Sequence, residues 1–174
     1  ADGFVSANII SSVSGTVKAI EKRENVLGTT DLSIVVVNDG QYTLSEGVGT
    51  EVDPTTLTTQ EILEKVKAAG IVGLGGAGFP THVKLAPKDP AAIKYVIANG
   101  AECEPYITCD DQLMRNYADE IVGGLKIMLQ LFPNAEGVVL IEENKPEAIA
   151  AVQKVCANEN KIHVHPVHVK YPQG

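Results

Sequence analysis

The sequence is short of cysteine, of positive charge and of long apolar runs, and each shortage removes a class of function. Cys103, Cys109 and Cys156 are an odd number with no Cys-x-x-Cys pair among them, a pattern that fits reduced thiols rather than a disulfide framework or an iron–sulfur site. Any such cluster lies outside this chain. No uninterrupted apolar stretch approaches the roughly 20 residues that a membrane helix needs, so the chain is expected to be soluble as written. Fourteen Lys and Arg stand against 22 Asp and Glu, a formal charge of −8, which argues against the basic face that a nucleic-acid partner favours. A nucleotide-sized anion needs only local positive potential and stays open. The opening Ala-Asp-Gly-Phe has neither the charged start nor the apolar core of a signal peptide. No initiator Met is present either, so the sequence reads as a piece cut from a longer chain.

What is present centres on Gly70-Ile-Val-Gly73-Leu-Gly75-Gly76-Ala-Gly78-Phe79-Pro80-Thr81-His-Val-Lys84. Five glycines within nine positions do not serve packing, because each costs roughly 0.5–1 kcal/mol of backbone entropy relative to alanine and has no side chain to bury. Bare backbone suits sharp turns of positive φ, or the close approach of main-chain N–H groups to an anion such as a phosphate. Lys84 adds a positive charge a few residues on. A mobile glycine-rich loop is the plainer alternative, against which Phe79-Pro80 stiffens the segment. No Gly-Lys-Ser/Thr follows, so this is not a Walker loop. Gly73, Gly75 and Gly78 meet the Gly-x-Gly-x-x-Gly spacing, but the element before them reads as a helix where a dinucleotide fingerprint follows a strand.

The length and an apolar content of 44% suffice for one domain of ordinary size with a small appendage, here residues 51–174 and 1–50. Over residues 4–40 apolar and polar positions alternate between Ser14-Gly15, Asn25, Gly28 and Asp39-Gly40, which predicts three or four short strands. Lys18 falls inside a strand pattern, as a solvated position. After a connection over 41–57, Thr58-Thr-Gln-Glu61 offers a capping box to a helix with Ile62, Leu63, Val66 and Ala69 on one face and Gly70 as its C-terminal cap. Tyr95-Val-Ile-Ala98 reads as a parallel strand buried on both faces. Asn99 onward then lies beyond a strand's carboxyl end, where open α/β sheets hold ligands.

Asp110 or Asp111 is expected to cap a helix running to about Phe132, with Leu113, Tyr117, Ile121, Leu125 and Met128 inward. Gly123-Gly124 should weaken it midway and allow a close contact. Residues 137–141 read as another buried strand and Asn144-Lys-Pro146 as a helix start, with Ile149, Val152 and Cys156 on its apolar face. Residues 162–169 alternate as a strand. The succession predicts a three-layer α/β domain with a mainly parallel sheet. His163 and His165 have a zinc-compatible spacing, but no third ligand is near and Pro166 interrupts the strand, so no metal is expected.

Two stretches resemble a known family. The glycine stretch resembles the Gly-x-Gly-Gly-Ala-Gly-Phe-Pro-Thr loop of the flavin-bearing, NADH-oxidising subunit of respiratory complex I, and still more closely its relative, the C subunit of the Rnf electron-transport complex. Asn99-Gly-Ala-Glu102-Cys-Glu104-Pro105-Tyr-Ile-Thr-Cys-Asp110-Asp111 resembles the Rnf version of the complex I segment Asn-Ala-Asp-Glu-x-Glu-Pro. Leu74 replaces an arginine of the complex I loop and Ala101 an aspartate of its acidic motif, and both departures look like the Rnf version. The final Tyr171-Pro-Gln-Gly174 resembles the start of the Rnf motif Tyr-Pro-Gln-Gly-Gly-Glu-Lys.

The resemblance implies a Rossmann-like FMN-binding domain preceded by part of a barrel-sandwich hybrid. It places Gly73, Gly75, Gly76 and Lys84 around the FMN phosphate and ribityl chain, Asn99 and Glu102 against the flavin, Phe79 on the adenine of NADH, and Glu104, the catalytic candidate, near the nicotinamide. It implies electron transfer between NAD(H), FMN and 4Fe–4S clusters outside this chain, in an ion-translocating membrane complex that engages ferredoxin indirectly. The protein would sit peripherally on the cytoplasmic face of the inner membrane beside the other Rnf subunits. The flavin would carry the hydride chemistry, so no general base is needed. This chain alone is expected to fold, but to be inactive and without FMN. The alternatives are a flavin-dependent cobalamin reductase paralogue and a non-catalytic assembly module in which the loop is only a turn. Cys103 and Cys109 flank the acidic turn; a redox role stays open, although inert thiols are commoner.

Overall fold

The computed structural model describes residue 3 and residues 5–74, 78–102 and 104–170. Its first regular elements, β1 (Gly15–Glu24) and β2 (Thr30–Asn38), form one antiparallel hairpin. The expected three or four strands are thus two, because all the punctuating residues serve that single hairpin. At its closed end Asn25 Oδ1 accepts from the amides of Leu27 and Thr29 at 2.9 and 3.2 Å, and Gly28 takes a φ of +73°. At its open end the Ser14 hydroxyl donates to Asp39 Oδ1 at 2.6 Å, and the Asp39 amide donates to the Ser14 carbonyl at 3.1 Å. Ile20 pairs with Ile34 on one face and Arg23 with Asp31 on the other, as period-two alternation requires. Lys18 is exposed, at a register irregularity between Val17 and Ala19.

Helix α1 (Thr59–Ala68) begins with the expected capping box. Thr58 Oγ1 accepts from the Glu61 amide at 3.3 Å and Glu61 Oε2 accepts from the Thr58 amide at 2.8 Å, satisfying two amides that the first turn leaves without helical acceptors. Gly70 follows at φ +64°. The short α2 (Thr81–Lys84) comes directly after the glycine loop.

The main sheet contains β3 (Tyr95–Gly100), β4 (Glu136–Glu142) and β5 (Ile162–Val167), all parallel and in that order. Strands laid down in sequence with right-handed crossovers bring their connecting helices to one face. These are α3 (Cys109–Asn116), α4 (Ala118–Leu129) and α5 (Pro146–Cys156). Between sheet and helices lie Val122, Leu125, Val139, Ile141 and Val152, each at most 2% exposed. The parallel α/β architecture is as expected, and of its layers the described residues form the sheet and this helical layer. Strand β3 departs from expectation: Val96 is buried, but Tyr95 and Ile97 are 60% and 55% exposed. It is covered on one face only, since the crossover helices all pack on the other side. Strand β5 also runs through Pro166, opposite Ile141, because at a sheet edge the missing N–H costs no ladder bond.

The single helix expected to reach Phe132 is two helices, broken at Tyr117 (φ −135°, ψ 36°). There the Asn116 side chain donates to the Gln112 carbonyl at 2.7 Å, competing with the backbone amide for its helical acceptor. The buried stripe nonetheless continues through the break at helical spacing, and of the residues expected inward Leu125 is buried and Ile121 and Met128 pack against the core. Met114, Ala118, Val122 and Leu125 are buried, whereas Leu113 and Tyr117 are exposed. Gly123 and Gly124 make no close contact, since a Cβ on either would meet nothing within 4 Å. Gly124→Ala is therefore expected to stabilise the fold by about 0.5–1 kcal/mol, read as a higher urea midpoint at unchanged slope; a lower midpoint would reveal a contact at this position. Among the described residues, no helix is long and apolar enough to cross a membrane.

Candidate functional site

The glycine loop is pinched at its base. Val72 and Pro80 form an antiparallel bridge, the Gly73 amide donates to the Phe79 carbonyl at 2.9 Å, and the Thr81 amide to the Ile71 carbonyl at 3.0 Å. Gly75 and Gly76 lie outside the described residues, as do Cys103 and the motif at 171–174. Gly78, at φ +64°, shows one of the two uses foreseen for the glycines. Gly73 bears on the other, because a Cβ there would stand 3.2 Å from Lys84 Nζ. The ammonium therefore lies over bare backbone in a space that a side chain would fill. No ion pair occupies Lys84 among the described residues. A cleft of about 310 Å³ runs from Thr81 and Lys84 along β3, lined by Tyr95, Val96 and Ile97 and by Met128 and Phe132, and Phe79 is exposed.

The acidic stretch leaves the carboxyl end of β3 through a constrained turn. Asn99 Oδ1 accepts from the Ala101 amide at 3.2 Å. A Cβ on Gly100 would fall 2.6 Å from Met114 Sδ and 2.8 Å from the Leu140 carbonyl oxygen, so only glycine lets the strand pass here. Glu102, 7% exposed, then turns inward to the start of α3. Its Oε1 accepts from the Asp110 amide and the Cys109 thiol, both at 3.0 Å, and its Oε2 from the Asp111 amide at 3.3 Å. This corrects the expectation that Asp110 or Asp111 caps the helix. The cap is a carboxylate seven residues upstream, which satisfies orphan amides and complements the positive end of the helix dipole.

These contacts set the local titration. Burial pushes the Glu102 carboxyl up, but the Asp110 amide, the Cys109 thiol, the Asp111 amide and the charge of Lys145 outweigh it, and the net pKa lies below the ordinary glutamate value of 4.5. The hydrogen bond to Glu102 raises the Cys109 thiol, with burial and nearby acidic charge adding to it. Cys109 is therefore a protonated donor and not a poised nucleophile, since the thiolate is the reactive form. Asp110 is raised by burial first and then by Glu102 and Glu104, which places exposed Glu104 within electrostatic reach of the same turn. Tyr106, fully exposed, takes a φ of +68°.

The structure thus brings Lys84 to Gly73, and Asn99, Glu102 and Asp110 to the carboxyl end of β3. Lys84 opens toward Ile97 and the second cluster begins at Asn99, two residues further along the same strand, or about 7 Å at strand spacing. A smaller cleft of about 200 Å³ lies between Asn99, Asp110 and Met114. Larger hollows, of about 680 Å³ beside Lys126 and Ile162 and about 530 Å³ beside Ser12 and Tyr42, contain none of the expected residues. His163 meets Glu136 at 3.4 Å. Glu102, Cys109 and Asp110 lie close enough together for a metal, yet their contacts are those of a helix cap. Sequence reasoning missed Gly100 and Lys145. The first had a signal, a glycine at a strand end beside a motif, while the second is brought in from another crossover and had none.

Residues 66–174 match the family model of the Nuo51 FMN-binding domain, and residues 1–41 match that of the RnfC barrel sandwich hybrid domain. The C subunit of the Na(+)-translocating ferredoxin:NAD(+) oxidoreductase complex of Acetobacterium woodii is 41% identical over 173 residues, 99% of this chain and 39% of its own length. The C subunit of the ion-translocating oxidoreductase complex of Pasteurella multocida is 40% identical over 175 residues, 99% of this chain and 21% of its own. This chain spans 39% or less of the length of these two relatives. A solved NAD+-reducing [NiFe]-hydrogenase in the H2-reduced state matches 68% of this chain and 23% of its own, with a TM-score of 0.55 and 24% identity, a likeness of fold. With the bridged loop, β3 and the capped turn all inside a match that spans more than half of its residues, the chain belongs to the family of the Nuo51 FMN-binding domain, in the branch of the Rnf C subunits.

Proposed function

We propose that residues 51–174 are the FMN-binding part, and residues 1–50 the barrel-sandwich part, of a C subunit that passes electrons between NAD(H) and iron–sulfur carriers in a membrane complex coupled to ion transport. The observation that carries this reading is the ammonium of Lys84 held over the bare backbone of Gly73. A cation over glycine backbone, where a side chain at position 73 would crowd it, suits the phosphate of FMN. Gly75 and Gly76 would complete that cradle. Asn99 would contact the flavin directly. Glu102 would act mainly by holding the turn, since its oxygens already serve α3.

FMN, when bound, would supply the hydride- and electron-accepting chemistry, leaving the protein to bind and orient. Phe79 would offer its exposed ring to the adenine of NADH. Glu104 would address the nicotinamide end, because a carboxylate beside a phosphate site is a poor phosphate ligand. The 4Fe–4S clusters, the other subunits and the indirect link to ferredoxin would lie beyond this chain, on the cytoplasmic face of the membrane. The chain alone would be inactive.

Lys84→Ala in the full-length protein should remove one charge-assisted hydrogen bond, about 1.5–3 kcal/mol, and weaken FMN roughly ten- to a hundredfold. A titration followed by flavin fluorescence checks this, and unchanged affinity would take Lys84 out of the site. Glu104→Gln should slow NADH oxidation with an artificial acceptor more than it lowers flavin content. Equal losses would assign Glu104 to the flavin or to folding.

A further inference from the structure

The segment ahead of β1 reaches the helix that leads into the glycine loop. Asn8 Nδ2 donates to the carbonyls of Lys67 and Ala68 at 3.4 and 3.2 Å, in the last turn of α1, where the Lys67 carbonyl also accepts from the Gly70 amide at 3.1 Å. The main chain of Asn8 touches the next residues as well. Its carbonyl oxygen lies 2.5 Å from where a Cβ on Gly70 would stand, and Gly70 is at φ +64°, so glycine is required there for conformation and for space. Ile71 and Val72 follow at once and make the base of the loop, through the Thr81 amide and the bridge to Pro80. Gly73, under Lys84, comes next.

We propose that Asn8 is a positioning residue for the phosphate site, holding the end of α1 and Gly70 so that the loop's base is set before a ligand arrives. The proposal rests on the reading of the loop as the FMN cradle and adds the residue that sets it. A site ordered in advance spares the ligand the cost of ordering it. The small N-terminal module thereby bears on the affinity of a site to which it contributes no ligand. The contact spans 59 and 60 residues of sequence.

The test uses the full-length protein with Asn8→Ala and, separately, Asn8→Asp, which keeps the shape but has no amide donor. Amide hydrogen exchange is read at Gly73 and Thr81 and, as a control, at Val139 and Ile141 in β4; FMN is then titrated. Both variants should exchange faster at Gly73 and Thr81, about fivefold for the loss of one hydrogen bond, with β4 unchanged and the FMN dissociation constant raised by a similar factor. Unchanged exchange at Gly73 and Thr81 overturns the proposal. Equal acceleration in β4 also overturns it, because Asn8 would then serve global stability alone, and so does faster loop exchange with unaltered FMN affinity. Should the unmodified protein take up no FMN, the flavin reading fails on its own, and loop exchange still decides whether Asn8 sets the loop.

Discussion

Glu102→Ala is expected to cost about 3 kcal/mol of folding stability, the largest effect of any single change in the acidic turn. The carboxylate accepts from two amides and a thiol at the start of α3 while almost fully buried. Hydrogen bonds to charged groups contribute about 1.5–3 kcal/mol each, and buried donors left without acceptors add their desolvation cost. Urea denaturation followed by circular dichroism measures the loss, and a change below about 0.5 kcal/mol, the usual range for a surface position, would show that the cap carries no stability. Glu102→Gln should fall between, because its amide keeps one acceptor but turns an N–H toward another N–H. The pH dependence has a definite sign. The folded pKa of Glu102 lies below its ordinary value of 4.5, so its contribution is fully present above that value and is lost as pH falls through the folded one. The stability gap between wild type and Glu102→Ala should therefore narrow under acid. A gap that ignored pH would place the effect in packing.

Gly100→Val should be comparably damaging, at about 3 kcal/mol, the upper end for forcing extra atoms into a packed site. Valine suits a strand intrinsically, so local preference predicts the opposite. The obstruction is tertiary: the new Cβ would sit 2.6 Å from Met114 Sδ and 2.8 Å from the Leu140 carbonyl oxygen. The methionine can move, but the carbonyl belongs to β4 and cannot move without breaking the β3–β4 ladder. Adding Met114→Ala should therefore fail to rescue the variant in thermal unfolding, and full rescue would show that the side chain was the whole obstacle. Set beside the expected gain from Gly124→Ala, this shows why a count of glycines says little until the space around each is known.

The capping box at Thr58 and Glu61, the turn at Asn25 and Gly28, and the buried runs that became β4 and α5 were legible because each depends on residues a few positions apart. The two motifs were legible for the same reason, and through them the family. The strand count near the N-terminus failed because turn residues mark chain reversals without saying which of them belong to one hairpin. The inward face held in α4, where Leu125 is buried and Ile121 and Met128 pack against the core, and failed at Leu113 and Tyr117, beside a break that one side-chain hydrogen bond, from Asn116 to Gln112, accompanies and that apolar periodicity does not mark.

Local spacing in the sequence by itself determined the α/β succession, the glycine loop and the acidic turn, since hydrophobic periodicity and backbone preference act within a few residues. The tertiary structure alone decided that Glu102 caps α3, that Lys84 stands over Gly73, that Gly100 admits no side chain, and that Asn8 meets the end of α1. Each of these depends on where another part of the chain arrives, and that is settled by the order of the strands and the side on which their crossovers pack.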